Sequence, residues 1–100
     1  MMPLREQVLA TLRQHQKELR AAGVLHLSLF GSTVRSEHRA GSDIDLLAAF
    51  DQGCDLSLLD VVRIERQLAN LLGQPVDLVE EGTLKPRLQK SVEAEAVRAF

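Results

Sequence analysis

The sequence predicts an α/β (α+β) fold, a small mixed sheet of three or slightly more strands packed with helices. Three observations predict it. Stretches with apolar residues at three- and four-residue spacing alternate with short stretches of strand-like pattern. Punctuation falls between them at Gly23, Gly31, Gly41, Gly53, Gly73, Pro75 and Gly82. The resulting order is helix, strand, short helix, strand, helix, strand, helix, an alternation typical of a sheet covered by helices. A sheet of three strands is thin, so helices packed on one face leave the other partly open.

The elements follow in chain order. Pro3 suits a helix start, and Leu4, Val8, Leu12 and Leu19 lie on one face of a helix over Leu4–Ala22. Gly23 stops it. Val24–Phe30 alternates, with Leu25, Leu27 and Leu29 on one side of a first strand. Ser32–His38 reads as a short helical turn after Gly31. Ser42 and Asp43 lead into a second strand, Ile44–Phe50. A longer helix, Leu56–Leu72, presents Leu58, Val61, Ile64, Leu68 and Leu71, and Gly73 and Pro75 end it. Val76–Val79 is a short third strand, and Glu81-Gly82 turns the chain. Leu84–Phe100 reads as a last helix with Leu88, Val92 and Ala96 at four-residue spacing. Pro86 is tolerated there because it falls in the first turn.

Composition narrows the function. One hundred residues suit a single domain, 1–100, whose core needs no disulfides. A hydrophobic content of 45% excludes a disordered chain. The net charge of -2 argues against direct nucleic-acid binding, which needs a concentrated basic surface, although nine arginines leave room for a local patch. No apolar run approaches membrane-spanning length. The lone Cys54 and the lack of an apolar export segment suit a cytoplasmic protein. Cys54 itself reads as an inert loop thiol, with no His or second Cys beside it to activate it.

Two features carry chemistry. Asp43-Ile44-Asp45 opens an otherwise apolar strand, where Asp is depleted. Residues i and i+2 share a strand face, so the two carboxylates point together and repel. Mg²⁺ removes that conflict, because it binds through one or two carboxylates plus substrate phosphates. Alone, the pair is a weak signal and reads first as a strand entrance with Asp43 as a turn cap. The second feature is Gly31-Ser32, straight after the first strand. Glycine permits close backbone approach to a ligand, the N–H groups of a following helix favour an anion, and the Ser32 hydroxyl can donate to a phosphate. Alone, this is a strand-to-helix turn with Ser32 as N-cap. Together the two mean more. Ten residues, Thr33 to Ser42, separate Ser32 from Asp43. With each residue type at roughly 5–7% frequency, such a spaced set arises by chance in on the order of one chain in a thousand.

The run LFGSTVRSEHRAGSDIDLLAAF resembles the signature of the polymerase-beta-type nucleotidyltransferase superfamily, in its minimal nucleotidyltransferase (MNT) branch. The later PVDLVEEGTLKPRL is similar to the region after the third strand in MNT proteins, and the resemblance spans residues 24 to 100. It implies a polymerase-beta-like fold in which Gly31 and Ser32 hold the triphosphate of ATP or another nucleoside triphosphate. Asp43 and Asp45 would ligate Mg²⁺, with two ions expected. Asp77, between Val76 and Leu78, matches the family's third carboxylate, which helps bind metal and activates the attacking hydroxyl. Without the D-x-D pair, Asp77 would read as a solvent-facing residue of an edge strand. Arg35 matches a phosphate-contacting arginine, and equally reads as a solvated helix-surface charge. Where many relatives carry Gly after that arginine, this chain has Ser36.

The resemblance also implies a partner. MNT proteins commonly pair with helical HEPN-domain toxins, which they neutralise as antitoxins, in some cases by adding AMP to a tyrosine. This chain contains no Tyr, so a tyrosine acceptor would have to be supplied in trans by the partner; separately, a homo- or hetero-oligomer is expected. The competing expectations are a binding module that neutralises by contact alone, and a small-molecule nucleotidyltransferase of the antibiotic-modifying kind. The latter is disfavoured by the lack of a second domain. His15, His26 and His38 lack metal-ligand spacing and read as surface or half-buried histidines. Glu80-Glu81 reads as a solvated turn, and Glu93 and Glu95 as a solvated helix face.

Overall fold

A computed structural model describes residues 4–35, 43–83 and 85–100. Two helices, α1 (Leu4–Gln14) and α2 (Gln16–Ala21), precede β1 (Val24–Phe30). A 3-10 turn over Gly31–Thr33 follows, then β2 (Ile44–Phe50), a second 3-10 turn over Gln52–Cys54, α3 (Leu58–Leu72) and β3 (Val76–Glu80). The described chain ends with α4 (Pro86–Glu95) and β4 (Val97–Arg98). The strands form one sheet in the order β3-β2-β1-β4. β1 is antiparallel to both β2 and β4, whereas β2 and β3 are parallel, with α3 as their crossover.

One face of the sheet makes the core. Leu27 and Leu29 of β1, Ile44, Leu46 and Ala48 of β2, and Val76 of β3 pack there against Val8, Leu12, Leu19, Ile64 and Leu68 of the helices. Most of these are fully buried Leu, Ile or Val, and each such side chain contributes about 1.5–3 kcal/mol by leaving water. The opposite face carries Asp45, Leu47 and Ala49 of β2, because strand residues alternate.

Several boundaries differ from the sequence reading. The helix expected over Leu4–Ala22 is two, turned at His15, and the turn lets Leu12 and Leu19 both reach full burial. Leu25, expected inward, is exposed, while Val24 is buried. A register irregularity between Val24 and His26 shifts the alternation there. α3 begins at Leu58 because Ser57 caps it. Its hydroxyl accepts from the Asp60 N–H, and the Asp60 carboxylate accepts from the Ser57 N–H at 3.0 Å. Leu58, expected on the apolar face, sits in that first turn and is 80% exposed. Gly73 ends the helix in the left-handed conformation, φ 68°.

The largest difference is at the C-terminal end. The helix expected to Phe100 stops at Glu95, and Val97–Arg98 pair with β1 as a fourth strand. The pairing satisfies the free edge of β1, the Ala99 N–H donates to Leu27 O at 2.8 Å, and Ala99 is buried. The Arg13 Nε donates to the Ala99 carbonyl at 2.9 Å and ties this end to α1. α4 buries none of its residues fully, and Leu88 is exposed. Leu84 lies outside the described residues.

Candidate active site

Strand directions gather the predicted residues on one rim. The C-terminal end of β1 lies beside the N-terminal ends of β2 and β3. Phe30 pairs with Asp45, and Asp45 pairs with Asp77. The Ile44 N–H donates to the Pro75 carbonyl at 2.8 Å and fixes that parallel register. Asp45 and Asp77 thus face each other across neighbouring strands about 4.8 Å apart. Asp43 immediately precedes β2, two residues before Asp45, and is exposed. All three carboxylates belong to the face away from the helical core.

Gly31 completes the rim. It has φ 76°, where side chains are strained. A Cβ built on it would overlap Asp45 Oδ2 and stand 3.1 Å from Asp45 Cγ. The Asp45 carboxylate therefore rests against the Gly31 backbone, and only glycine leaves room for it. Ser32 follows at half exposure, and Thr33, 2% exposed, anchors the turn in the core. The helix expected over Ser32–His38 is, in its described part, the 3-10 turn Gly31–Thr33. A macrodipole contributes little over so short a turn, which leaves the Ser32 hydroxyl and local N–H groups as donors. Ser36, His38, Gly41 and Ser42 lie outside the described residues.

Arg35 stands two residues beyond this turn and pairs with Glu95 of α4, Nη1 to Oε2 at 2.9 Å, both about half exposed. Glu95 was expected to be a solvated charge, and no spacing in the sequence links it to Arg35. Its role follows from the turn-back of α4 into β4, which sequence reasoning missed. Likewise Glu65 of α3 accepts from the Leu78 N–H at 3.1 Å and covers the outer edge of β3 beside Asp77. Cys54 is exposed, and its thiol pKa is raised by surrounding protein atoms and then by the Asp51 carboxylate. His26 is exposed and His15 half-buried.

Aspartate oxygens are the donor type that a hard divalent cation takes. Carboxylates at Asp43, Asp45 and Asp77 share one rim, and like charges directly opposite destabilise a bare sheet. Among the described residues, no three His, Cys, Asp or Glu gather into a ready metal cage. An open carboxylate arrangement is what Mg²⁺ uses when phosphate oxygens complete its shell.

Residues 9–99 match the family model described as a nucleotidyltransferase domain. The chain belongs to this family. Nucleotidyltransferases of this family generally use divalent metal ions. The protein adenylyltransferase MntA of Thermococcus cleftensis is 41% identical over 93 residues, 92% of this chain and 92% of that one. A relative in Methanocaldococcus jannaschii, assigned as a protein adenylyltransferase, is 41% identical over 75 residues, 75% of this chain and 78% of that one. A solved structure assigned as a minimal nucleotidyltransferase superposes with a TM-score of 0.76 at 41% identity, covering 96% of this chain and 95% of that chain. A toxin–antitoxin structure solved with AMP-PNP shares the fold, with a TM-score of 0.69 at 24% identity over 85% of this chain and 68% of that one. The nucleotidyltransferase fold expected from the sequence is the one observed. Among the described residues its sheet has four strands. No helix among the described residues is long and apolar enough to cross a membrane.

Proposed function

We propose that this chain is a single-domain, Mg²⁺-dependent protein adenylyltransferase that transfers AMP from ATP to a hydroxyl of a HEPN toxin and so acts as its antitoxin. The observation that carries the reading is the Asp45 carboxylate, seated on the Gly31 backbone and in register with Asp77. It joins the phosphate turn and the carboxylate rim in one contact. The Thermococcus relative, named a protein adenylyltransferase, supports the reaction class at 41% identity over most of both chains. The MNT antitoxin solved with its tri-AMPylated Shewanella oneidensis HEPN toxin is 21% identical, a likeness of fold that suggests the partner to test.

On this reading Gly31 and Ser32 hold the triphosphate, and Arg35 turns part of its five-donor fork to a phosphate. Asp43, Asp45 and Asp77 would hold the metal, two ions being expected. A divalent ion held there would supply charge neutralisation at the reacting phosphate. The chain itself would supply position and charge neutralisation rather than covalent chemistry. Asp77, on the outer strand, accepts the proton of the attacking hydroxyl.

The test is intact-mass spectrometry of a co-expressed HEPN-domain partner, with the unsubstituted chain and with Asp43→Asn/Asp45→Asn. Added AMP only with the unsubstituted chain is the expected result. An unmodified partner in a stable, neutralised complex would replace this reading with neutralisation by contact. AMP transfer to an aminoglycoside without any partner would replace it with a small-molecule transferase.

A further inference from the structure

The junction of α1 and α2 bears an open groove of about 400 Å³, lined by Arg13, Gln14, Gln16, Lys17 and Arg20. Helical hydrogen bonds run through the turn at His15, from the His15 N–H to Thr11 O and from the Leu19 N–H to His15 O. Arg13, Lys17 and Arg20 follow one another at four and three residues, the spacing of one helix face. They spread over roughly 10 Å at about 1.5 Å per residue. The chain carries 14 acidic residues against 12 Lys and Arg, yet no described carboxylate lines this groove. Glu18, also on α2, lies outside the lining. Among the described residues, none of the three cations has a carboxylate partner.

Two of the three cationic heads are held in place by groups that leave their charge uncancelled. Arg13 Nε donates to the Ala99 carbonyl at 2.9 Å, and Arg13 Nη2 to the Arg98 carbonyl at 3.3 Å. The Arg20 guanidinium lies over the Phe100 ring, 5.4 Å from its centroid. With the Gln16 amide turned to satisfy its hydrogen bonds, its oxygen accepts from Arg20 Nη1 at 2.8 Å. Carbonyls, an amide and an aromatic face orient a guanidinium without neutralising it. Side chains ordered before a ligand arrives lose less freedom when it binds. Lys17 stands exposed between the two arginines. The groove lies on the helical layer, whereas the three aspartates belong to the other face of the sheet, and none of the predicted site residues lines it.

We propose that this groove docks an acidic segment of a partner protein, a run of Asp or Glu whose carboxylates meet Arg13, Lys17 and Arg20. The site is separate from the nucleotide chemistry and does not depend on it. Charge complementarity selects an anion, and the lining selects which. No aromatic side chain lines the groove to stack a nucleic-acid base, and a net charge of -2 opposes a polyphosphate strand over the rest of the surface. Carboxylates match the parallel N–H groups of a guanidinium. A spread of roughly 10 Å suits several carboxylates along an extended segment, at about 3.3 Å per residue, rather than one small anion.

The test is an NMR titration of the full chain with N-acetyl-hexaglutamate amide at low ionic strength. The peptide is expected to shift the Gln14, Lys17 and Arg20 amides. Lys17→Glu, an exposed change that reverses one charge, is expected to weaken it about tenfold, and Lys17→Arg to bind it as the unsubstituted chain does. Binding should also fall at least about tenfold in about 1 M salt, where the Debye length is about 3 Å. If Lys17→Glu does not fold, Lys17→Gln takes its place, with a loss of about threefold expected. Inorganic phosphate and an oligouridine are titrated in parallel. Hexaglutamate that leaves these amides unmoved, or that binds the Lys17 variants unchanged, would overturn the proposal. Phosphate that binds as tightly as the peptide would make this a single-anion site, and oligouridine that binds there more tightly would make it a nucleic-acid site. Either result overturns the proposal as well.

Discussion

Gly31→Ala is the substitution that most directly tests the contact at the heart of the site. Gly31 has φ 76°, and its added Cβ would overlap Asp45 Oδ2 with Asp45 Cγ at 3.1 Å and Cβ at 3.2 Å. Holding alanine at this φ costs about 1–2 kcal/mol. Rotation of Asp45 relieves the overlap at Oδ2 but leaves its Cβ at 3.2 Å, so the carboxylate is displaced from its seat. Stability should therefore fall by about 1–2 kcal/mol, a loss of roughly 4–16 °C in Tm for a chain of this size. Function should fall much further. The carboxylate that swings away is the one in register with Asp77, and a displacement of about 1 Å at a reacting centre costs on the order of 100-fold. Calorimetric titration of ATP with and without Mg²⁺, beside a thermal melt, separates the two effects. Repeating Gly31→Ala in an Asp45→Ala background sharpens the point. There the Tm loss from backbone strain should persist, but nucleotide affinity should drop no further. Unchanged Mg²⁺-dependent affinity in the single Gly31→Ala variant would refute the argument that this glycine exists to seat Asp45.

Three further outcomes are expected. Asp77→Asn removes one of two like charges facing each other across β2 and β3, so the metal-free protein should gain about 0.2–1 kcal/mol while Mg²⁺-dependent AMP transfer falls; a loss of stability in a melt without metal would count against the pairing. The half-exposed Arg35–Glu95 pair should contribute no more than about 1 kcal/mol, so Glu95→Gln should barely move Tm, whereas Arg35→Ala should raise the KM for ATP; equal kinetic effects from both would show that Arg35 acts only through α4. Ser57→Ala removes the α3 cap and should cost about 0.5–2 kcal/mol near neutral pH. Hydrogen bonds from Ser57 hold the Asp60 pKa below its ordinary value. A depressed carboxylate stabilises the fold above its unfolded pKa, about 3.9, and that contribution is lost as pH falls through the folded pKa. The gap in Tm between Ser57→Ala and the unsubstituted chain should accordingly narrow below about pH 4, and a gap that widens there would be inconsistent with the cap.

The order of elements through β3 was legible because each is short and bounded by glycine, proline or a cap, and because burial follows the period of its apolar residues. Leu27, Leu29, Ile44, Ile64 and Leu68 sit in the core as their spacing requires. The carboxylates were legible for a different reason. An aspartate pair opening an apolar strand runs against strand propensity, so Asp43 and Asp45 stand out before any coordinates are known, whereas Asp77 was singled out only through that pair and the family resemblance. What the residues could not announce was the relation between strands. That Asp45 faces Asp77 depends on a parallel crossover through α3 and on the Ile44–Pro75 hydrogen bond. Leu25 and Leu58 were misplaced because a register irregularity and a helix start, respectively, interrupt the periods that had been read through them.

The C-terminal segment was the least legible, and the reason is physical. Leu88, Val92 and Ala96 keep a helical period, but α4 has little to bury them against. The competing demand came from elsewhere: the edge of β1 needed a partner, and Val97–Arg98 meet it at Leu29 and Ser28. A local pattern could not reveal this, because the decisive hydrogen bonds join residues some seventy positions apart. The consequence reaches the proposed function. By turning back into β4, the chain places Glu95 against Arg35 and Glu93 over the open face. The segment whose sequence said least therefore closes the free edge of β1 and sets Glu95 against Arg35.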